Sequence, residues 1–232
     1  MNDNKTDIPK HIGYIVDGNR RWAKKHGLPS YEGHLAGYDK LKDVVIATFD
    51  MGVEYVTAYI FSTENWQRSQ DEVKGLMNLV LKMLTSDLHV FEENDIKLRI
   101  LGSREGVDKK IIKAMDNAES KTANNKRGVL ALCFNYGGRL EIVDAIKQII
   151  NSGIKPNKIN AELIEQYLYS PDIPDIDLVL RTSGEKRLSN FMLWRTAYSE
   201  MIFINKNWPD MKKSDVRAAL NEYTRRQRRF GS

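Results

Sequence analysis

Short apolar runs alternating with amphipathic helical stretches predict an α/β chain, with a central, mostly parallel six-stranded sheet flanked by helices. Three observations carry that expectation. The strand-like runs are apolar throughout, as in a sheet covered on both faces. Helical periodicity separates them. Three of the runs end in polar clusters that would emerge together at the carboxyl edge of such a sheet, where open parallel sheets bind ligands.

After a polar tail over 1–10, Ile12-Gly13-Tyr14-Ile15-Val16 reads as the first strand and stops at Asp17, where Asp17-Gly18-Asn19 makes a turn. From Gly33 to about Phe49, Leu35, Tyr38, Leu41, Val44, Val45 and Phe49 recur at helical spacing, and Met51-Gly52 closes the pattern. A second strand, Tyr55 to Phe61, leads through Ser62-Thr63-Glu64-Asn65-Trp66 into one long helix with Val73, Leu76, Val80, Leu84, Leu88 and Phe91 on a broad face. Further strands are expected at Leu98 to Leu101, Val129 to Phe134, Leu178 to Leu180 and Met201 to Ile204, and helices near 108–123, 139–151, 160–169 and 213–229. No repeat, low-complexity tract or linker divides the chain, so 11–232 reads as one domain.

Composition narrows the class. At 41% hydrophobic and 29% charged, the 232 residues can bury a sizeable core. A net charge of +5 favours anionic partners, and Arg225, Arg226, Arg228 and Arg229 crowd part of that excess near the end. Those arginines lack the interleaved aromatics of a single-strand platform, so nucleic acid is not an expected partner. The single cysteine, Cys133, lies in an apolar run, which excludes an internal disulfide and fits a reducing cytoplasm. No apolar stretch reaches the roughly 18 residues of a membrane span, so membrane contact would be peripheral. Walker-loop, G-x-G-x-x-G and zinc-site spacings are absent.

The strand-end clusters carry the chemistry. Asp17 is a hard oxygen ligand suited to magnesium, Gly18 lets the backbone approach a phosphate, Asn19 tolerates turn geometry, and Arg20 and Arg21 offer forked donors. The same tripeptide is also a common turn. His34 falls near a helix start, where a phosphate is welcome, although a lone histidine is often structural. In the second cluster, Ser62, Asn65 and Arg68 bring hydroxyl, amide and guanidinium groups into one loop, with Trp66 available to cover an apolar group. A capped helix start explains Ser62, but not Arg68 or Trp66. In the third, Arg181, Arg187 and Ser189 could clamp a second anion, with Glu200 spaced to return to the same edge; surface ion pairing is the plainer alternative. Two anion sites beside carboxylates suggest chemistry on two phosphorylated substrates.

The segments His11 to Ala23, Phe61 to Trp66, Asn135 to Arg139 and Asp177 through Glu200 resemble, in order, the signature blocks of the cis-prenyltransferase family. The ending Arg225 to Gly231 is similar to bacterial undecaprenyl diphosphate synthases, so the likeness spans about His11 to Gly231. The resemblance implies a homodimeric cytoplasmic enzyme with a hydrophobic tunnel, which condenses isopentenyl diphosphate repeatedly onto an allylic diphosphate, usually farnesyl diphosphate. The implied product is a polyprenyl diphosphate, undecaprenyl for a cell-wall lipid carrier, which would draw the protein to the membrane face. It implies Mg2+ held by Asp17 and Glu200, and an allylic site of Gly18, Asn19, Arg20, Arg21, His34 and Arg68. Trp22, Ser30, Thr63, Glu64, Trp66 and Leu188 would join the substrate contacts. Arg181, Arg187 and Ser189 would bind isopentenyl diphosphate, and Asn65 with Ser62 would assist proton removal, with Asn65, Asp17 and a phosphate oxygen all open as acceptor.

Two positions depart from the bacterial pattern. Arg20 stands where many members have a second glycine, and Ser30 replaces a frequent allylic-site arginine, for which Arg20 could compensate. Two other classes fit less well. A non-catalytic partner subunit would not need the retained Asp17, Asn65, Arg181, Arg187, Ser189 and Glu200. A phosphohydrolase with Asp17 as nucleophile would commonly carry a second Asp two residues later.

Overall fold

The structure, a computed structural model, describes residues 8–226. Its strands β1 (His11–Ile15), β2 (Tyr55–Ser62), β3 (Ile96–Leu101), β4 (Gly128–Tyr136), β5 (Leu178–Arg181) and β6 (Glu200–Phe203) form one sheet in the order β3-β4-β2-β1-β5-β6. Every pairing is parallel. The first strand therefore lies inside the sheet, with Ile12 opposite both Val56 and Leu178. Chain direction departs from β1 to β2 on one side and returns to β5 on the other, which opens a crevice above the carboxyl end of β1.

Helices α1 (Asn19–Lys25), α2 (Ser30–Asp50), α3 (Gln70–Leu84), α4 (Leu88–Glu93), α5 (Lys109–Lys121), α6 (Gly138–Asn151), α7 (Ala161–Tyr167) and α8 (Lys213–Arg225) connect and cover the strands. The larger core joins Tyr14, Val56 and Leu132 of the sheet to Leu41 and Phe49 of α2, Met83 of α3, Met115 of α5 and Leu220 of α8. On the opposite face, Ile15, Tyr59 and Val179 pack beneath Ile173, Ile176 and Phe191. Burial on both faces accounts for strands that show no polar alternation.

Three local readings change. Asp17-Gly18-Asn19 is a turn in which Gly18 has φ 102°, but it opens directly into α1, whose one buried side chain is Ala23. So short a helix leaves little apolar periodicity to detect. The next helix, expected from Gly33, begins at Ser30, after Pro29; its first turn is polar and mostly exposed, so apolar spacing does not mark it. The single long helix expected through Phe91 is two, broken at Thr85-Ser86-Asp87. There Thr85 and Ser86 hydroxyls donate back to the Leu81 and Lys82 carbonyls, the competition with helical backbone that such residues offer. Arg228 and Arg229 lie outside the described residues.

Candidate active site

Asp17 stands at the carboxyl end of β1, fixed by its backbone. Its N–H donates to Thr182 Oγ1 at 3.0 Å, and its carbonyl accepts from Trp208 N at 3.0 Å. Trp208 is buried, and its indole donates to the Gly37 carbonyl at 2.8 Å, so one residue, by backbone and side chain, ties the strand end to α2. A side chain at Gly18 would place Cβ 2.5 Å from Asn207 Oδ1 and require a left-handed backbone, so the turn needs glycine. The Asp17 carboxylate accepts from Arg181 Nη2 at 2.9 Å and from Gly18 N at 2.7 Å, and pairs with Arg21 Nη2 at 3.4 Å.

Those arginines belong to two lobes of one cleft of about 1180 Å3. In the first, Arg181 is almost fully buried, donates to Ser189 Oγ at 2.8 Å and to the Arg187 carbonyl, and Arg187 Nε reaches the same hydroxyl at 3.2 Å. The loop holding them strains four non-glycine residues into positive φ, at Ser183, Ser189, Asn190 and Met192. Such outliers concentrate at functional sites.

The second lobe contains Asn19, Arg20, Ser30, His34 and Arg68, Arg21 reaches across to the first by donating to the Ser183 carbonyl at 3.1 Å and pairing with Glu185 at 3.0 Å, and Ser62, Glu64 and Asn65 line the cleft as well. Its organiser is Glu72, which the motif reading missed. His34 Nε2 donates to Glu72 Oε1 at 3.0 Å, Arg68 Nη1 donates to the same oxygen at 2.8 Å, and Arg20 Nε stands 3.9 Å away. Burial pushes the Glu72 carboxyl up, but the bond from His34 and the charges of Arg68 and Arg20 outweigh it and hold it low. Burial also lowers the His34 pKa below its usual value, so at neutral pH this ring supplies hydrogen bonds rather than charge. Ser69-x-x-Glu72 has the spacing of a helix cap, and Ser69 Oγ accepts from Glu72 N at 3.4 Å; that spacing was the available signal.

In the second cluster the cap and the site coincide. Asn65 Oδ1 accepts from Ser62 N at 3.1 Å within the 3-10 helix Thr63–Gln67, and both residues still line the cleft. From Val16, Asn19, His34, Ile60 and Leu76 the cleft continues into an apolar cavity of about 60 Å3 between α2 and α3.

Comparison with known proteins decides what this cleft belongs to. The family model described as "Putative undecaprenyl diphosphate synthase" matches residues 15–231. The chain belongs to the cis-prenyltransferase family. An isoprenyl transferase of Thermotoga maritima is 46% identical over 226 residues, covering 97% of each chain. A trans,polycis-polyprenyl diphosphate synthase of Thermobifida fusca, (2Z,6E)-farnesyl diphosphate specific, is 42% identical over 97% of this chain and 81% of its own. Among solved structures, lavandulyl diphosphate synthase from Lavandula x intermedia, in complex with dimethylallyl diphosphate, superposes with a TM-score of 0.93 at 32% identity, covering 97% of this chain and 99% of that one.

Within this cis-prenyltransferase, some expected contacts lie elsewhere. Trp22 turns away from the cleft, donating to Asp210 Oδ1 at 2.8 Å and stacking on His26. Trp66 donates to Asn135 Oδ1 at 2.8 Å and packs edge-on against Phe61, so its ring buttresses the 3-10 turn. Thr63 and Leu188 are likewise outside the cleft lining; Thr63 faces Gly137, and Leu188 packs on the smaller core. Glu200 does not return to the edge of Asp17. It opens β6, opposite Leu178 at the start of β5, whereas Asp17 follows Ile15, which pairs with the last residue of that strand. At about 3.3 Å per residue the two carboxylates are separated by more than roughly 10 Å along the strands. Glu200 instead accepts from Arg226 Nη1 at 2.8 Å. Among the described residues no three His, Cys, Asp or Glu side chains gather as a metal site, and no helix is long and apolar enough to cross a membrane.

Proposed function

We propose that this cis-prenyltransferase elongates an allylic diphosphate, farnesyl diphosphate in the first instance, by successive cis condensations with isopentenyl diphosphate, and that it requires Mg2+. The observation that carries the reading is one cleft with two arginine-bearing lobes that meet at Asp17 and open into an apolar cavity. Two diphosphates and one hydrocarbon tail are the ligands such a shape suits.

In this reading the lobe of Gly18, Asn19, Arg20, Arg21, Ser30, His34 and Arg68 receives the allylic diphosphate, with the tail in the cavity. Arg181, Arg187 and Ser189 receive isopentenyl diphosphate. A lone carboxylate is a fitting donor for Mg2+, which characteristically takes one or two carboxylates and completes its shell with water and substrate phosphates. When bound there, the ion would neutralise charge developing on the departing diphosphate. The arginines contribute to the same stabilisation through preorganised donors. Each cycle joins the allylic carbon to the isopentenyl double bond, releases diphosphate, and loses one proton to re-form a double bond. Asn65 and Ser62, bonded to each other in the cleft lining, would orient that proton toward a phosphate oxygen or Asp17.

Glu200 can complete such a metal site only from a second copy, which favours a homodimer. Exposed Val143, Ile146 and Ile150 on α6, with Tyr198 just before β6, offer apolar surface for one. An undecaprenyl product follows from the family likeness, and release of so long a lipid would bring the protein to a membrane surface.

The test is incubation of purified protein with farnesyl diphosphate, labelled isopentenyl diphosphate and Mg2+, followed by solvent extraction. Labelled lipid is expected, with a loss of at least about a hundredfold in Asp17→Ala, the scale of removing one key electrostatic group. No lipid from native protein, or full activity in the variant, would falsify the reading.

A further inference from the structure

One signature block takes no part in the cleft described so far. Asn135 to Arg139 spans the end of β4 and the start of α6, and none of its five residues lines the cleft or the cavity. Both loops of the cleft nevertheless rest on it. Asn135 accepts the Trp66 indole at 2.8 Å and donates to the Ser103 and Glu105 carbonyls at 2.9 and 3.1 Å, which anchors the 3-10 turn that carries Asn65. Gly138 and Arg139 have N–H groups without partners inside α6. They donate to the carbonyl and to Oδ1 of Asn190 at 2.8 and 2.9 Å, which anchors the loop that carries Arg187 and Ser189. A Cβ at Gly137 would stand 2.8 Å from Asn190 Nδ2 and 2.8 Å from Thr63 Oγ1, so both loops come down on the same glycine.

One bond then joins loop to loop. Asn190 Nδ2 donates to Glu64 Oε1 at 3.0 Å, and both residues line the cleft. Burial pushes the Glu64 carboxyl up, but bonds from its own N–H, Asn190, Ser62 and Thr63 outweigh it and hold it low, so at neutral pH the acceptor is an anion. Asparagine suits this place twice. It tolerates the left-handed backbone, here φ 65°. Its amide also supplies an acceptor to α6 and a donor to Glu64 at the same time. An aspartate would keep the acceptor and lose the donor.

We propose that Asn190 is a positioning residue, which through Glu64 keeps the loop of Ser62 and Asn65 in register with the loop of Arg187 and Ser189. The proposal rests on the prenyltransferase reading above, in which these two loops meet isopentenyl diphosphate, and adds the contact that sets their spacing. Its effect is confined to that substrate, because His34, Arg68 and Arg20 are gathered separately around Glu72.

Wild type, Asn190→Asp, Glu64→Gln, the double variant and Asn190→Gly should be compared as full chains with farnesyl diphosphate, labelled isopentenyl diphosphate and Mg2+, each substrate being varied in turn. Asn190→Asp sets two carboxylates against each other. Its KM for isopentenyl diphosphate should rise about tenfold, the scale of one lost hydrogen bond to a charged group, while its KM for farnesyl diphosphate stays at the wild-type value. In the double variant the glutamine amide donates to the new carboxylate, so the bond returns with its sense reversed. The KM for isopentenyl diphosphate should then fall back to that of Glu64→Gln alone. An unchanged KM in Asn190→Asp, an equal rise for both substrates, or a double variant no better than Asn190→Asp overturns the proposal. Should Asn190→Asp not fold, Asn190→Gly, which keeps the left-handed backbone and lacks the amide, should show the same selective rise, and its absence overturns the proposal equally. Absence of any labelled lipid from wild type instead overturns the functional reading, and the positioning role with it.

Discussion

Glu72 shows how one carboxylate can arrange the cationic side of a cleft without lining it. Its Oε1 gathers His34 from α2 and Arg68 from the 3-10 turn, with Arg20 of α1 close by. Glu72→Gln keeps the shape and loses the charge, so the arginines lose their preset orientation. We expect the KM for the allylic diphosphate to rise about tenfold, equivalent to about 1.4 kcal/mol, with a smaller change in kcat. Steady-state kinetics with varied allylic substrate checks it, and an equal fall in kcat alone would mean that Glu72 acts in the chemical step. At this scale the sequence was legible wherever a motif marks a residue that lines the cleft, as with Asp17, Arg68 and Arg181. It was silent where a side chain serves another side chain. Trp22 and Trp66 illustrate the reverse error, because an aromatic beside a polar loop looks like a substrate cover until its indole N–H is seen bonded to Asp210 or Asn135.

Among elements, the contact of α1 with α2 sets the lobe of the cleft that holds Arg20 and His34. A Cβ at Gly33 would stand 2.1 Å from the Asn19 carbonyl, and one at Gly37 2.4 Å from Asn19 Oδ1, so the glycines let α1 rest on α2. Neither α1 nor this contact was visible beforehand, since a seven-residue helix with one buried side chain carries almost no periodic signal. The larger elements were legible because each buries a long apolar face; the break at Thr85-Ser86-Asp87 was not, because apolar spacing resumes beyond it. That break holds Asp87, whose carboxyl burial would push up but which bonds from Lys82, Tyr38 and Lys42 hold far below the ordinary aspartate range. A depressed folded-state value means that the stabilisation is complete above the unfolded pKa, near about 3.9, and is lost as pH falls below it. Asp87→Asn should therefore cost about 1–2 kcal/mol at neutral pH, lowering the melting temperature by several degrees. The difference should shrink steadily below about pH 4. Melting curves of both proteins across that range test this, and a gap independent of pH would show that the ion pairs contribute nothing.

For the whole molecule, the separation of Glu200 from Asp17 turns oligomeric state into a question about catalysis. Sequence spacing between Arg181 and Glu200 suggested a return to one edge, but the chain instead crosses beneath the sheet through Phe191 and Met192 and re-enters at the amino end of β6. Distance along the chain cannot distinguish the two routes. If Glu200 completes the metal site of a second copy, mixing inactive Asp17→Ala with inactive Glu200→Gln under subunit exchange should restore part of the activity, because each mixed dimer holds one site with both carboxylates. No recovery, with exchange verified by a tag, would leave Glu200 to its pairing with Arg226.

The bond from Arg181 to Asp17, reinforced by Arg21, also has a thermodynamic meaning. Before any ligand arrives, the carboxylate is the counter-ion of the very arginines that would grip phosphate. Under the proposed function, an incoming diphosphate would take over that office and set the carboxylate free to attract a cation, while a cation on the carboxylate would loosen the arginines toward phosphate. Each ligand would then enlarge the other's binding constant by the same factor. In the structure the charges of this pocket are spent on one another, and only an exchange of partners would turn them toward a ligand.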